Sequence, residues 1–199
     1  MTIRIAVIGG DGIGPEVIDQ ACRVLGAIQE KGLADVEMVH FPHGADHYLT
    51  SGETLSDVTF TTLRDDFDAI LFGAVGDPRI PGGEHARDLL LGLRFRLDLF
   101  INRRPIRLRV TDLSPLKSAG TAPIDFVIYR ENTEGLYVGT GRIENEGTDL
   151  ELAITEGLAS RRGIDRIVRA AFDYAEYAGV RVTLADKANA MPHMFGLWR

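Results

Sequence analysis

The chain alternates between two hydrophobic rhythms. Residues 3–8, IRIAVI, are an almost unbroken apolar run, which predicts a strand buried on both faces. From 15 to 31, Val17, Ile18, Ala21, Val24, Leu25 and Ile28 recur at the i, i+3, i+4 spacing of an amphipathic helix. Residues 35–41 then predict a strand and 56–65 a short helix. DAILFGAVGDP predicts a buried strand that ends in a Gly/Pro turn. Leu89, Leu90, Leu93 and Leu97 share one side of a helix over 89–97.

A second block follows, with strands around 106–110 and 125–129 and a glycine-punctuated stretch from 135 to 147. Ile164, Ile167, Val168, Ala171, Phe172 and Ala175 then mark a strong helix, and 180–184 a last strand. The pattern predicts an α/β fold of two subdomains meeting near residue 100. The sequence carries no repeat, low-complexity tract or linker.

Between the first strand and helix lies GGDGIGPEV, 9–17, a place where nucleotide phosphates often sit. A P-loop needs Lys and then Ser/Thr after its last glycine, but Pro15 and Glu16 follow Gly14, and a carboxylate there repels phosphate. The dinucleotide fingerprint fits at Gly10 and Gly12 and meets Pro15 in its third glycine position. Pro15 instead suits the first turn of a helix, where its missing N–H costs nothing.

Composition narrows the function. The 199 residues carry a net charge of −7, 45% hydrophobic and 26% charged residues, which argues against nucleic acid or an anionic membrane as partner. No apolar run approaches the roughly 18 residues of a membrane helix. The first strand starts at once, so no signal peptide is expected. Cys22 is the sole cysteine, which excludes an internal disulfide and points to a reducing cytoplasm.

Candidate chemistry gathers in three places. On the helix at 87–98, Arg87, Leu91, Arg94 and Asp98 fall on one face, Arg94 lies four residues beyond Leu90, and NRRP (102–105) follows. Several arginines near a domain junction suit a small di- or tricarboxylate, since a guanidinium grips a carboxylate through two parallel hydrogen bonds. The same spacing also fits solvated arginines paired with Asp88 and Asp98. YRENTEGLYVG (129–139) sets Arg130 and Tyr137 either side of a turn at a strand end, where α/β ligands bind. LADKANAM (184–191) presents Asp186 and Lys187, and a desolvated lysine there could act as a base. Taken alone, a lysine or tyrosine is more often a structural or solvated residue than a catalytic one.

His40, His43 and His47, with Asp46, resemble scattered metal ligands, but Pro42 and Gly44 break any single helix face. A strand running into a turn explains them, and no metal is expected from this chain. His85 and His193 carry no signal in the sequence.

GDGIGPEV, LLLGLRFRLDLFINRRP, YRENTEGLYVG, SRRGIDRIVRAAFDYA and DKAN occur in one order. Together they resemble the β-decarboxylating dehydrogenases, the isopropylmalate, isocitrate and tartrate dehydrogenase family, over essentially the whole chain. The resemblance implies an isopropylmalate dehydrogenase-like two-domain α/β fold, incomplete at the C-terminus. Residues 1–100 would be the N-terminal half of the first, cofactor-side domain, and 101–199 part of the second, dimerisation and substrate domain. It also implies an oxidoreductase that performs NAD-dependent oxidative decarboxylation of a 2-hydroxy di- or tricarboxylic acid, with Mg²⁺ or Mn²⁺ as Lewis acid. NADP is the alternative cofactor.

By the same resemblance Arg94, Arg104 and Arg130 hold the malate portion of the substrate. Tyr137 helps protonate the enol, and Lys187, reaching across a homodimer with shared sites, assists removal of the hydroxyl proton. Ile13 and Asn189 lie near the nicotinamide, and 140–156 form an arm that clasps the partner. The metal ligands and the adenosine loop belong to a portion beyond this chain. The chain is therefore expected to be a truncated form, a partial gene or a piece of a longer protein, inactive alone.

Leu90 and Leu91 match the leucines that receive an isopropyl group, so 3-isopropylmalate, and with it a leucine-biosynthetic setting, is favoured. Asp88 and Leu90 replace the Ser and Asn of isocitrate enzymes, and Leu91 the arginine of homoisocitrate enzymes. Arg87, where isopropylmalate enzymes commonly carry Glu, and RRGIDRIVRAAFDYA keep tartrate and D-malate open. A non-catalytic subunit and a small carboxylate-binding fragment are the remaining alternatives.

Overall fold

Strand β1 (Ile3–Gly10) lies between two parallel neighbours, β2 (Val36–Phe41) and β3 (Ala69–Ala74), in the order β2-β1-β3. This computed structural model describes residues 1–117 and 123–199 and divides into two units, Met1–Leu97 and Asp98–Arg199.

In the first unit, Ala6 and Ile8 of β1 face a core completed by Phe60 and Leu63 of α3 (Asp57–Asp65) and Leu89 and Leu93 of α4 (Glu84–Arg96). Fully burying each large side chain contributes about 1.5–3 kcal/mol. Val7 points to the opposite face by the period of two and is also fully buried. Helix α1 (Gly14–Glu30) packs against β1 and β3 and brings Ile18 inward. Cover on both faces is the reason β1 reads as a continuous apolar run.

The loop 9–17 is built for close packing. A Cβ at Gly14 would stand 2.3 Å from the Gly9 oxygen and 2.7 Å from the Ala74 oxygen, and one at Gly73 would stand 2.1 Å from the Gly9 oxygen. Only hydrogen fits where β1, β3 and the start of α1 meet. Pro15 sits in the first turn of α1, as its geometry allows. Helix α3 opens at Ser56, whose hydroxyl accepts the Thr59 N–H at 3.2 Å.

The second unit contains an antiparallel pair, β4 (Ile101–Arg107) and β5 (Asp125–Glu131), and a hairpin of β6 (Gly141–Glu144) with β7 (Leu152–Thr155). Helix α5 (Arg161–Ala178) packs on β5, with the Tyr129 and Tyr174 rings 5.5 Å apart, and a short helix, α6 (Pro192–Gly196), follows.

Three expectations need correction. The first strand of the second unit begins at Ile101 rather than 106, so NRRP lies within it. The polar run hid a strand whose side chains stay largely exposed, and Pro105 is tolerated because, among the described residues, β4 pairs on one side only. Residues 180–184 form no strand, since no ladder partner reaches them among the described residues, and Val180, Val182 and Leu184 are exposed. The segment read as a strand running into a turn instead contains a helix, α2 (Ala45–Ser51), closed by left-handed Gly52.

Candidate active site

Each unit holds part of the expected site. In the second, the register pairs Asn102 with Arg130 and Arg104 with Ile128. Side chains two apart share a face, so Asn102, Arg104, Ile128 and Arg130 project from the same side of the pair. Arg104 and Arg130 are diagonal neighbours across the ladder, a placement that suits two guanidiniums gripping two carboxylates of one small acid. The Arg104 Nε donates to Asn102 Oδ1 at 2.8 Å. The Asn102 amide donates to Asn132 Oδ1 at 3.0 Å, and the Asn132 amide to the Leu99 carbonyl at 3.0 Å.

Beyond β5, the Arg130 guanidinium carbon stands 5.5 Å from the centre of the Tyr137 ring. Tyr137 is 57% exposed, so its hydroxyl is open to a ligand. Arg103, on the other face, lies 5.1 Å from the Tyr174 ring and serves packing on α5.

Lys187 lies in a tight turn, where its carbonyl accepts the N–H groups of Ala190 and Met191 at 3.0 and 2.8 Å. Asp186 accepts the Ala188 N–H at 2.7 Å and pairs with Arg199 at 2.9 Å. The Arg199 side chain and that N–H hold the Asp186 carboxyl below its ordinary value. Lys187 and Asn189 are themselves exposed. Within this chain the Lys187 side chain is therefore solvated, and among the described residues no hydrogen bond joins it to Tyr137.

In the first unit, α4 buries Leu89 and Leu93 and leaves Leu90 43% exposed, which frees Leu90 for a ligand. Leu91 and Arg94 are half-buried, Arg94 one turn beyond Leu90. Ile13, at the N-cap of α1, is 59% exposed. The four-residue face expected from Arg87 to Asp98 is incomplete. The helix ends at Arg96, and Asp98 turns away with a left-handed φ of 48°. Arg87 pairs with Asp88 at 3.1 Å, as the solvated reading allowed, whereas Asp98 binds Arg166 with both oxygens at 2.8 Å.

Two networks escaped the sequence. Arg166 also reaches Glu131 at 3.3 Å and the Thr133 hydroxyl, and stacks over the Phe100 ring at 4.5 Å. Beside it, Glu134 accepts the Ser160 backbone N–H at 2.8 Å and its hydroxyl at 2.5 Å. An open polar concavity of about 320 Å³ is lined by Asp98, Glu134, Arg162, Gly163 and Arg166. In the first unit, Asp11 accepts the Ala45 N–H at 2.6 Å, the Gly76 N–H at 2.8 Å and the His85 Nε2–H at 3.0 Å. A carboxylate can only accept, so Nε2 carries the ring proton. The carboxylates 131 and 134 were visible beside the turn, but the sequence offered no sign of their partners.

The described residues include no helix long and apolar enough to cross a membrane. The isocitrate/isopropylmalate dehydrogenase family model matches residues 4–199. A 3-isopropylmalate dehydrogenase of Corynebacterium aurimucosum is 46% identical over 198 residues, 99% of this chain and 56% of its own length. One from Frankia casuarinae is 45% identical over 98% of this chain, again 56% of its own length. The chain thus spans little more than half the length of the relatives it matches. Among solved structures, isocitrate dehydrogenase from Methylococcus capsulatus superposes with a TM-score of 0.82 at 32% identity, over 98% of this chain and 54% of its own. A β-decarboxylating dehydrogenase from Thermococcus kodakarensis gives 0.69 at 35% identity, over 98% and 52%. With matching loop, helix and strand motifs in one order across both units, the chain belongs to the isocitrate/isopropylmalate dehydrogenase family.

Proposed function

We propose that these residues are part of a longer protein that oxidatively decarboxylates a 2-hydroxy dicarboxylic acid with NAD, and that the acid is 3-isopropylmalate. The observation that carries the reading is the diagonal pairing of Arg104 with Arg130, with Tyr137 against the latter. The similarity to enzymes named 3-isopropylmalate dehydrogenase supports the substrate. The exposed Leu90, beside Leu91 and one turn before Arg94, offers an apolar surface to an isopropyl group.

In this reading Arg94, Arg104 and Arg130 hold the two carboxylates and fix the C2–H bond toward the nicotinamide. Exposed Ile13 supplies an apolar contact for that ring, and Asn189 a polar one. When bound, the nicotinamide takes the hydride from C2. Tyr137 delivers a proton to the enol left by loss of carbon dioxide, and Lys187 of the partner subunit assists removal of the hydroxyl proton.

A divalent metal is part of this chemistry in the family resemblance, but the residues here do not fit one of the Mg²⁺ type. The one metal-competent group among the described residues, His43, His47 and Glu53, is rich in imidazole, whereas Mg²⁺ takes oxygen ligands. No step is therefore assigned to a metal held by this chain.

The test is NADH formation by the longer protein with Mg²⁺ over a panel of 2-hydroxy acids. Isopropylmalate giving the highest kcat/KM supports the reading. Preference for tartrate, D-malate or isocitrate moves the substrate, and no turnover of any of them overturns the enzyme reading.

A further inference from the structure

We propose that His43, His47 and Glu53 form a binding site for a first-row divalent cation of the Zn²⁺ class. Their candidate ligand atoms all lie within 4.8 Å of one another. The two imidazole rings are 4.8 Å apart between centres, inclined at 44°. In a tetrahedral site with metal–ligand bonds of about 2.0–2.2 Å, ligand atoms stand roughly 3.4 Å apart, so modest side-chain rotation closes the set.

The second observation is the state of His43. The residue is 5% exposed, yet among the described residues neither of its ring nitrogens has a hydrogen-bond partner, and the Nε2 of His47 is likewise buried without one. Buried polar atoms are almost always satisfied, and leaving them bare costs free energy that a bound cation would recover.

The fold assembles the three ligands from three local features. His43 precedes the extended Gly44 that caps α2, His47 lies in its first turn, and Glu53 follows the left-handed Gly52 that ends it. A cation there would clamp both ends of this short helix. His40 and Asp46, adjacent in sequence, do not belong to the set: His40 is exposed in β2, and Asp46 pairs with Arg79 at 2.7 Å. Two imidazoles and one carboxylate suit Zn²⁺, with a water completing the shell, rather than Mg²⁺ or Ca²⁺. The site uses none of the residues assigned to substrate or nicotinamide.

The experiment is calorimetric titration of the chelator-treated 199-residue chain with Zn²⁺, beside Mg²⁺. One Zn²⁺ per chain is expected, unaffected by excess Mg²⁺. His47→Ala and Glu53→Ala should each weaken binding by about tenfold or more, and His40→Ala should leave it unchanged. Circular dichroism checks that the variants stay folded. The unmodified chain gives a readout that needs no variant, because Co²⁺ in a four-coordinate nitrogen and oxygen site absorbs far more strongly in the visible than hexa-aqua Co²⁺. Absence of Zn²⁺ binding, an aqua-like Co²⁺ spectrum, or binding lost with His40 and kept without His47 and Glu53 overturns the proposal.

Discussion

Asp11 and His85, 74 residues apart in the chain, meet at 3.0 Å with side chains 5% and 2% exposed. The same carboxylate takes the Ala45 and Gly76 N–H groups, so one side chain holds the opening loop, the start of α2, the loop after β3 and the start of α4. The loop that invites a nucleotide reading is thus occupied by an internal anion.

Replacing Asp11 by Ala strips three donors of their acceptor, the buried Ala45 N–H and His85 Nε2–H and the part-buried Gly76 N–H. A loss of about 3–5 kcal/mol is expected in urea unfolding of the 199-residue chain. A loss below about 1 kcal/mol would show that the donors find other partners.

Helix α5 depends on a shared cap. Ser160→Ala should cost about 1 kcal/mol, because the Gly163 N–H loses its acceptor at 2.9 Å. Glu134→Ala should cost a similar amount, and the double variant less than the sum, since the two side chains share one network. Strict additivity in a double-mutant cycle would sink the idea of a coupled cap.

The acid limb of stability should report Asp77. Hydrogen bonds from the Arg79 side chain, then from its backbone N–H, hold this carboxyl down to about 2 from an ordinary 3.8. Its folded value is depressed, so its stabilisation is present above pH 3.8 and lost as pH falls through about 2. Asp77→Asn should be less stable than the parent at neutral pH, and the gap should close over that window. A gap independent of pH would assign the effect to packing.

Leu89 and Leu90 separate fold from function. Leu89 is 1% exposed, so Leu89→Ala should cost about 2–5 kcal/mol, whereas at 43% exposure Leu90→Ala should fall within roughly 0.5 kcal/mol. In the longer protein, Leu90→Asn with Asp88→Ser should lower kcat/KM for isopropylmalate about ten- to two-hundredfold. Unchanged kcat/KM would remove Leu90 from the pocket.

Lys187 and Arg104 test the shared site. In the longer protein, inactive Lys187→Met and Arg104→Ala forms refolded together give about half heterodimers, each with one intact site if Lys187 acts across the interface. Roughly a quarter of the parental activity should return, and none on refolding either form alone. Heterodimers that stay inactive would place Lys187 in its own subunit's site.

The legible parts of this molecule are those with local cause. Helices α1, α3, α4 and α5 appear in the apolar period, and Ser56 and Ser160 cap two of them as their residue type favours. The seven residues of α2 are too few to show a period, and β4 hides because INRRPIR has no apolar alternation. Residues 180–184 show the reverse error, since β-branched residues do not make a strand without a ladder. Of the site, Arg130 and Tyr137 could be paired from seven residues of sequence. The pairing of Arg104 with Arg130 needs the register, and the partners of Asp11, Glu134 and Arg166 need the fold.

The tight junction of Gly9, Gly14, Gly73 and Ala74 bears on how the opening segment tolerates change. A mutational library should lose every non-glycine variant at 14 and 73, whether or not any nucleotide is ever bound. Gly26, on an ordinary helical backbone and, among the described residues, with no atom beyond its chain neighbours and its own helix backbone within 4 Å of an added Cβ, should accept alanine freely. Invariance of glycine in such a stretch then measures how closely two carbonyls approach, and by itself carries no information about a ligand.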